Sequence, residues 1–288
     1  MCISPGSTTE SLDEVYINFE IGVEGESWIT TLPNVNKSIS THRFGRLKTW
    51  HLQVIKPDKD GDHLVSTAII LGKTDIAMML IDLIPDYKWL SRQNNMFQTA
   101  LHIATLTNNL HVVRRLIVAG INISKQDWGG NTALHIACQK GLKAIAAAIL
   151  TPVKYTETKL NSYEIPYQAI PQNLEIRNAD GLTCLLIAVT NKDRDIIDLL
   201  IDREADINAF DLKSGKTCLH ILTEYCDCAL IKFMLSKSRI NVNAKTYSGY
   251  TALQLAISRG YDQIVYLLRC AGADEIISDE EISSDSSD

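Results

Sequence analysis

The sequence predicts an all-α solenoid of six stacked helix–turn–helix repeats with short hairpin fingers. Three observations carry this. The hexapeptide Thr-Ala-Leu-His-Ile-Ala occurs twice, as Thr99–Ala104 and Thr132–Ala137, 33 residues apart. Four weaker copies keep nearly the same step: Leu-Val-Ser-Thr-Ala at 64–68, Thr-Cys-Leu-Leu-Ile-Ala at 183–188, Thr-Cys-Leu-His-Ile-Leu at 217–222 and Thr-Ala-Leu-Gln-Leu-Ala at 251–256. Each unit so marked has one apolar face too large to leave wet, and stacking on a neighbour covers it.

A step of about 33 residues with this motif is the signature of ankyrin repeats. The motif has a physical logic. Thr99, Thr132 and Thr217 sit where a β-turn enters the first helix of a repeat, where a hydroxyl can accept a free backbone N–H. Leu101, Leu134 and Ala137 are expected to face the neighbouring repeat and be buried. His102, His135 and His220 share one motif position, read as structural hydrogen bonding between repeats and not as a metal or catalytic site. The architecture puts function on a surface rather than in a pocket.

Composition narrows the class further. Of 288 residues 45% are hydrophobic, as in an ordinary globular chain, and the formal net charge is −6. That field, with no basic cluster, disfavours direct nucleic-acid binding. No run of 18 apolar residues suggests a membrane span. The first ten residues lack the basic and apolar regions of a secretory leader, so a cytosolic or nuclear protein is expected. Among the cysteines, Cys138, Cys184 and Cys218 fall inside repeat motifs as small packing residues. Cys226 and Cys228 have no second pair at zinc spacing. No phosphate-binding loop, nucleophile–base pairing or metal cluster stands out, so neither an enzyme nor a cofactor is expected.

Along the chain, residues 1–57 carry no repeat motif. They read as a largely disordered N-terminal arm, in which the helical apolar spacing of 41–56 can form a cap on the first repeat. The repeat domain spans 58–273. Its first repeat begins at Asp60-Gly61-Asp62, its second near Gln93, its third at Trp128-Gly129-Gly130-Asn131. The step from Thr132 to Thr183 is 51 residues. The excess falls in 151–173, which holds Pro152, Pro166, Pro171, Tyr155, Tyr163 and Tyr167 and reads as a long surface loop. Residues 274–288 form an acidic, serine-rich tail with seven carboxylates, five serines and no basic residue. Such a segment cannot bury enough apolar surface to order alone. Ser278, Ser283 and Ser284 are its candidate phosphorylation sites; Glu281 lies three residues after Ser278.

The departures from a generic repeat are more specific. Asp60-Gly61-Asp62 followed by Gln93-Asn94-Asn95-Met96-Phe97-Gln98-Thr99-Ala100-Leu101-His102 resembles the first two repeats of the IκB family, its insect branch included. Gly130 to Cys138 resembles the third repeat, Asn178 to Leu185 the fourth, Ser214 to Thr217 the fifth and Val242 to Tyr250 the sixth. The order of these motifs, the long third-to-fourth junction and the acidic tail complete the likeness over about 57–288.

The resemblance implies an inhibitor of Rel/NF-κB transcription factors. Its partner would be a Rel homology domain dimer, held in the cytoplasm, with or without shuttling of the inhibitor to the nucleus. The first repeats would cover the partner's basic nuclear-localisation segment. The last repeat and tail would lie against its DNA-binding region. The inhibitor itself would be monomeric when free. Partner-binding candidates are Asp60, Asp62, Trp128, Tyr247, Tyr250, Asp274, Glu275, Asp279, Glu280 and Glu281, the carboxylates being suited to Lys and Arg side chains. For Asp60, ordinary Asp-Gly turn chemistry is an equal reading. Signal-responsive family members carry an Asp-Ser-Gly phosphodegron, and residues 1–57 hold no such string. This leaves a constitutive inhibitor, a pathogen-derived mimic and a divergent paralogue open. A scaffold or adaptor with an unrelated partner is the alternative.

Overall fold

The computed structural model describes residues 57–165, 173–237 and 239–274, together with two short strands nearer the N-terminus. Six helix pairs follow one another. They are α1 (Leu64–Ile70) with α2 (Thr74–Leu83), α4 (Ala100–Leu106) with α5 (Leu110–Val118), α6 (Ala133–Gln139) with α7 (Lys143–Leu150), α9 (Cys184–Thr190) with α10 (Arg194–Asp202), α11 (Cys218–Glu224) with α12 (Cys228–Leu235), and α13 (Ala252–Ser258) with α14 (Asp262–Cys270). Two four-residue helices lie outside this scheme: α3 (Tyr87–Leu90) after the first repeat and α8 (Tyr155–Thr158) after the third. The expected all-α solenoid of six repeats is the fold observed.

The core runs along the stack. Leu101, Leu134 and Ala137 are buried, as are the equivalent Leu185, Leu219 and Leu253. Cys138, Cys184 and Cys218 lie among them, and burial pushes the Cys218 thiol up to about 12, so it stays protonated and packs as a small apolar group.

The motif threonine and histidine close the first helix of repeats two, three and five at its N-terminus. Thr132 Oγ1 accepts from His135 N–H at 3.4 Å. The histidine reaches back, and Nδ1 of His102, His135 and His220 accepts the backbone N–H of Thr99, Thr132 and Thr217 at 3.1, 3.3 and 3.2 Å. With Nδ1 an acceptor, the ring proton sits on Nε2. From there it is donated to the next repeat, to Asn131 O at 3.0 Å, Ile176 O at 3.1 Å and Tyr250 O at 3.0 Å. Gln254 takes this place in the last repeat and accepts from Thr251 N–H at 2.9 Å. Burial lowers the pKa of all three histidines.

In the N-terminal arm Tyr16–Phe19 (β1) pairs antiparallel with Trp28–Thr31 (β2), with Tyr16 opposite Thr31 and Phe19 opposite Trp28. Both runs are aromatic and β-branched, which suits a pleated strand. The expected cap at 41–56 lies outside the described residues.

Of the insertion, residues 151–165 fold back along α5 of repeat two. Two adjacent arginines on α5 receive them. Arg114 caps the end of α7 through Ala148 O, Thr151 O and Pro152 O at 3.2, 2.9 and 3.0 Å, and pairs with Glu157 at 2.6 Å. Arg115, only 6% exposed, reaches the other way, to Asp82 of repeat one at 2.7 Å and to Asn161 Oδ1 of the insertion at 2.8 Å. Asn161 and Tyr163 donate to Val118 O and Ala119 O at the end of α5, at 2.7 and 3.0 Å. Gly120 is left-handed (φ +86°), and a Cβ there would fall 2.9 Å from Ile165. The insertion therefore adds a brace to the neighbour contacts of an ordinary repeat array, on a helix of repeat two whose Arg115 also holds repeat one.

Two outcomes follow from these contacts. Histidines whose folded pKa is depressed bind protons more readily when unfolded. Their contribution to stability is complete above the unfolded value of 6.5 and is lost as pH falls through the folded values. Between pH 7.5 and 5 the unfolding free energy should fall with a slope of up to about three protons. Changing His102, His135 and His220 to Gln should flatten that slope in melts across the range; an equal slope in the triple variant would assign it elsewhere. For the brace, Glu157→Ala with Asn161→Ala should lower the melting temperature by about 2–4 °C, a partly solvated ion pair being worth about 1 kcal/mol or less. Hydrogen exchange in α5 should quicken, whereas a free loop would leave α5 amides unchanged.

Candidate functional site

The turns that enter each first helix project as fingers from one edge of the stack. The first five are each tightened by their own Asx side chain, and the sixth by Thr246. Asp58 Oδ1 accepts from Asp60 and Asp62 N–H at 2.9 and 2.8 Å, Asn94 Oδ1 from Met96 and Gln98 N–H at 3.0 and 2.9 Å, and Asn178 Oδ1 from Asp180 and Leu182 N–H, both at 3.0 Å. A backbone bond joins every finger to the next: Asn95 N to Asp60 O at 3.0 Å, Trp128 N to Met96 O at 3.1 Å, Ala179 N to Gly129 O at 2.9 Å, Leu212 N to Gly181 O at 3.3 Å and Tyr247 N to Ser214 O at 3.0 Å. The approach is close. Gly130 is left-handed at φ +70°, and a Cβ on it would lie 2.6 Å from Ala179 N.

A second set of bonds runs through the finger bases. Gln93 donates to Phe97 O in its own finger and Gln126 O in the next, at 2.6 and 2.8 Å. Gln126 repeats this with Gly130 O and Arg177 O at 2.6 and 2.8 Å. Arg177 repeats it again with Gly181 O at 3.0 Å and with Phe210 O. The Arg177 guanidinium also lies 5.1 Å from the centre of the Phe210 ring, and Phe210 meets Tyr247 edge-on at 6.2 Å. The fingers thus form one continuous ribbon.

That ribbon carries large apolar side chains in water. Trp128 is 78% exposed, Tyr247 62% and Tyr250 54%, and Met96, Phe97 and Leu212 are each more than half exposed. Large exposed apolar groups aligned on one edge mark an interaction surface. Three of the candidates read from sequence are thereby brought onto one edge: Trp128, Tyr247 and Tyr250. Asp60 is exposed beside them at the first finger.

Asp62 is placed differently. It is half-buried and accepts from Asn94 Nδ2 at 2.9 Å, so it serves the junction of fingers one and two. Burial raises its pKa, and the Asn94 hydrogen bond pulls the other way. Asp274 is likewise engaged, exchanging two hydrogen bonds with Asn243 at 2.7 and 2.9 Å, and so closes the sixth repeat. Glu275, Ser278, Asp279, Glu280, Glu281, Ser283 and Ser284 lie outside the described residues.

Met96, Phe97, Leu212 and the Gln93–Gln126–Arg177 ladder were missed by the sequence reading. A signal was present: Asn95, Trp128, Ala179 and Tyr247 each stand four residues before the motif threonine, and Gln93, Gln126 and Arg177 six before it. Finger five is one residue longer, so Leu212 and Phe210 join these columns only when that extra residue is allowed for. Among the described residues no group of three or more His, Cys, Asp or Glu is placed to hold a metal ion, and no helix is long and apolar enough to cross a membrane.

Stacked helix pairs with a bonded ribbon of fingers define an ankyrin-repeat protein. The chain belongs to that family: the Ankyrin repeats (3 copies) model matches residues 65–162, 130–211, 157–246 and 185–279. Within it the chain is a homologue of IκB proteins. It is 34% identical to the NF-kappa-B inhibitor cactus of Drosophila melanogaster over 257 residues, 84% of this chain and 51% of that one. It is 35% identical to human NF-kappa-B inhibitor epsilon over 227 residues, 77% of this chain and 43% of that one. The crystal structure of the ankyrin repeat domain of Bcl-3, described as a unique member of the IκB family, superposes with a TM-score of 0.64 at 33% identity, covering 75% of this chain and 89% of that one. The chain spans about half or less of the length of these two curated relatives.

Proposed function

We propose that the protein is an IκB-like regulator that binds a Rel homology domain dimer, Dorsal-like in kind, through its finger ribbon. One observation carries this reading: in a homologue of IκB proteins, the exposed apolar side chains Met96, Phe97, Trp128, Leu212, Tyr247 and Tyr250 line one rigid edge. The protein acts by binding and not by catalysis. The first finger offers Asp58 and Asp60 to the basic nuclear-localisation segment, which retains the dimer in the cytoplasm. The last repeat and the acidic tail face the DNA-binding region and oppose DNA. The free protein is a monomer, touches neither nucleic acid nor membrane, and needs no cofactor. Complementary charge speeds and orients such an encounter, while apolar anchors supply most of the affinity.

Binding to a purified Rel homology dimer tests this directly. Trp128→Ala should weaken affinity by about tenfold or more, mainly through faster dissociation. Asp60→Lys should instead slow association and lose its effect at high salt. Wild-type protein without measurable affinity for any Rel dimer would sink the reading.

Removal of residues 275–288 takes away six carboxylates and tests the tail separately. The truncated protein should still bind the dimer but strip it from DNA less well. The deficit should shrink as salt rises, because exposed charges are screened over about 10 Å at 0.1 M. Equal displacement of DNA by both proteins at low salt would leave the tail no part in it.

A further inference from the structure

Finger two breaks the rule of its neighbours. Gly130, Gly181, Gly215 and Gly249 all occupy one turn position with φ between +70° and +82°, the left-handed region that costs glycine nothing. The equivalent residue of finger two is Phe97, at φ +58°. A left-handed backbone at a bulky side chain is a steric outlier. Nor is the ring there to fill the core: Phe97 is 54% exposed, and its neighbour Met96 55%. A strained backbone that displays an apolar ring to water makes no sense as packing. Strain of this kind persists at sites where something else depends on it.

The surroundings narrow what that is. Finger two is sewn to finger one by Asn95 N to Asp60 O at 3.0 Å, Asn95 Nδ2 to Lys59 O at 3.1 Å and Asn94 Nδ2 to Asp62 at 2.9 Å. The Met96–Phe97 apex therefore stands beside Asp58, Asp60 and Asp62. Of these, Asp60 is exposed and makes no side-chain hydrogen bond within the turn, whose N–H groups are taken by Asp58. An apolar anchor next to acidic groups fits a partner segment that carries a large apolar side chain flanked by Lys or Arg.

We propose that Phe97, with Met96, is the anchor of the first two fingers, and that it receives an apolar residue of a basic segment on the Rel dimer. This rests on the Rel-binding reading above and specifies the chemistry its first fingers select. Phe97 is kept in place of the glycine of the other fingers because its ring is used in the complex. A segment with basic residues alone would bind weakly here, since exposed ion pairs contribute little by themselves.

The full chain tests this with two variants, Phe97→Asn and Phe97→Gly. Both residues accept a left-handed turn, so the finger keeps its shape. Each protein is melted, and each is titrated against a purified Rel homology dimer at two salt concentrations. The expected result is an unchanged or raised melting temperature together with an affinity loss of tenfold or more that persists at high salt, as loss of an apolar contact requires. Phe97→Leu should recover part of the affinity. A melting temperature lowered by more than about 5 °C would show that the ring packs within the fold and would overturn the proposal. Full affinity in both variants, with wild-type protein bound, would overturn it and leave the Rel reading intact. Failure of the wild-type protein itself to bind would remove both.

Discussion

Neighbouring repeats complete one another's hydrogen bonding, and in repeats two, three and five the motif histidine is the point where this happens. Its Nδ1 takes the first backbone N–H of its own helix, and its Nε2–H goes to a carbonyl at the base of the following finger. One ring thereby caps a helix and sets the spacing between units. A buried ring with both nitrogens satisfied costs nothing in lost hydrogen bonds, whereas either bond left unmade would leave a desolvated polar group. Neutrality is part of the arrangement, since a protonated Nδ1 could no longer accept.

From that spacing the ribbon of fingers follows. Once carbonyls and N–H groups of successive turns come within 3 Å or so, the fingers bond to each other and glycine becomes necessary where backbones nearly touch, as at Gly130 against Ala179. Gln93, Gln126 and Arg177 extend the same continuity through side chains. A surface held this way loses little conformational freedom on binding, and that loss is a large part of what weakens association. It can bind tightly without a cavity.

How much of this was legible in the sequence depends on the range of the contact. Helix pairs, buried leucines and the role of Thr132 and His135 are written within six residues, and those readings held. Trp128, Tyr247 and Tyr250, candidates for partner binding, stand exposed in the structure, since a large aromatic beside a turn glycine has nowhere to pack. The engagement of Asp62, a candidate for partner binding, is not visible in the sequence because Asn94 is 32 residues away. What ties the surface loop at 151–173 to the stack is hidden for the same reason. Its anchors Arg114 and Arg115 precede Glu157 and Asn161 by 43 and 46 residues, and two arginines in an amphipathic helix look like solvent-facing charge. The hairpin at β1 and β2 was missed because short aromatic and β-branched runs in a polar arm give a weak strand signal.

The brace and the finger ribbon divide the work between two edges of the same repeats. Arg114 reaches toward repeat three and Arg115 toward repeat one, so a single turn of α5 holds three units from the side away from the motif threonines. A linear array would otherwise flex at each junction, because only neighbours touch. Fingers one to three, which carry Asp60, Met96, Phe97 and Trp128, stand on the braced units. Beyond the insertion, Arg203 still reaches back to Leu150 O at 2.6 Å, but repeats five and six rest on neighbour contacts such as Arg259 with Glu224. The half of the surface that carries a strained aromatic is thus also the half with a second tie. Strain at Phe97 can persist only where the surrounding structure over-determines the turn, and the brace with the Gln93 and Asn94 bonds supplies that excess of constraint.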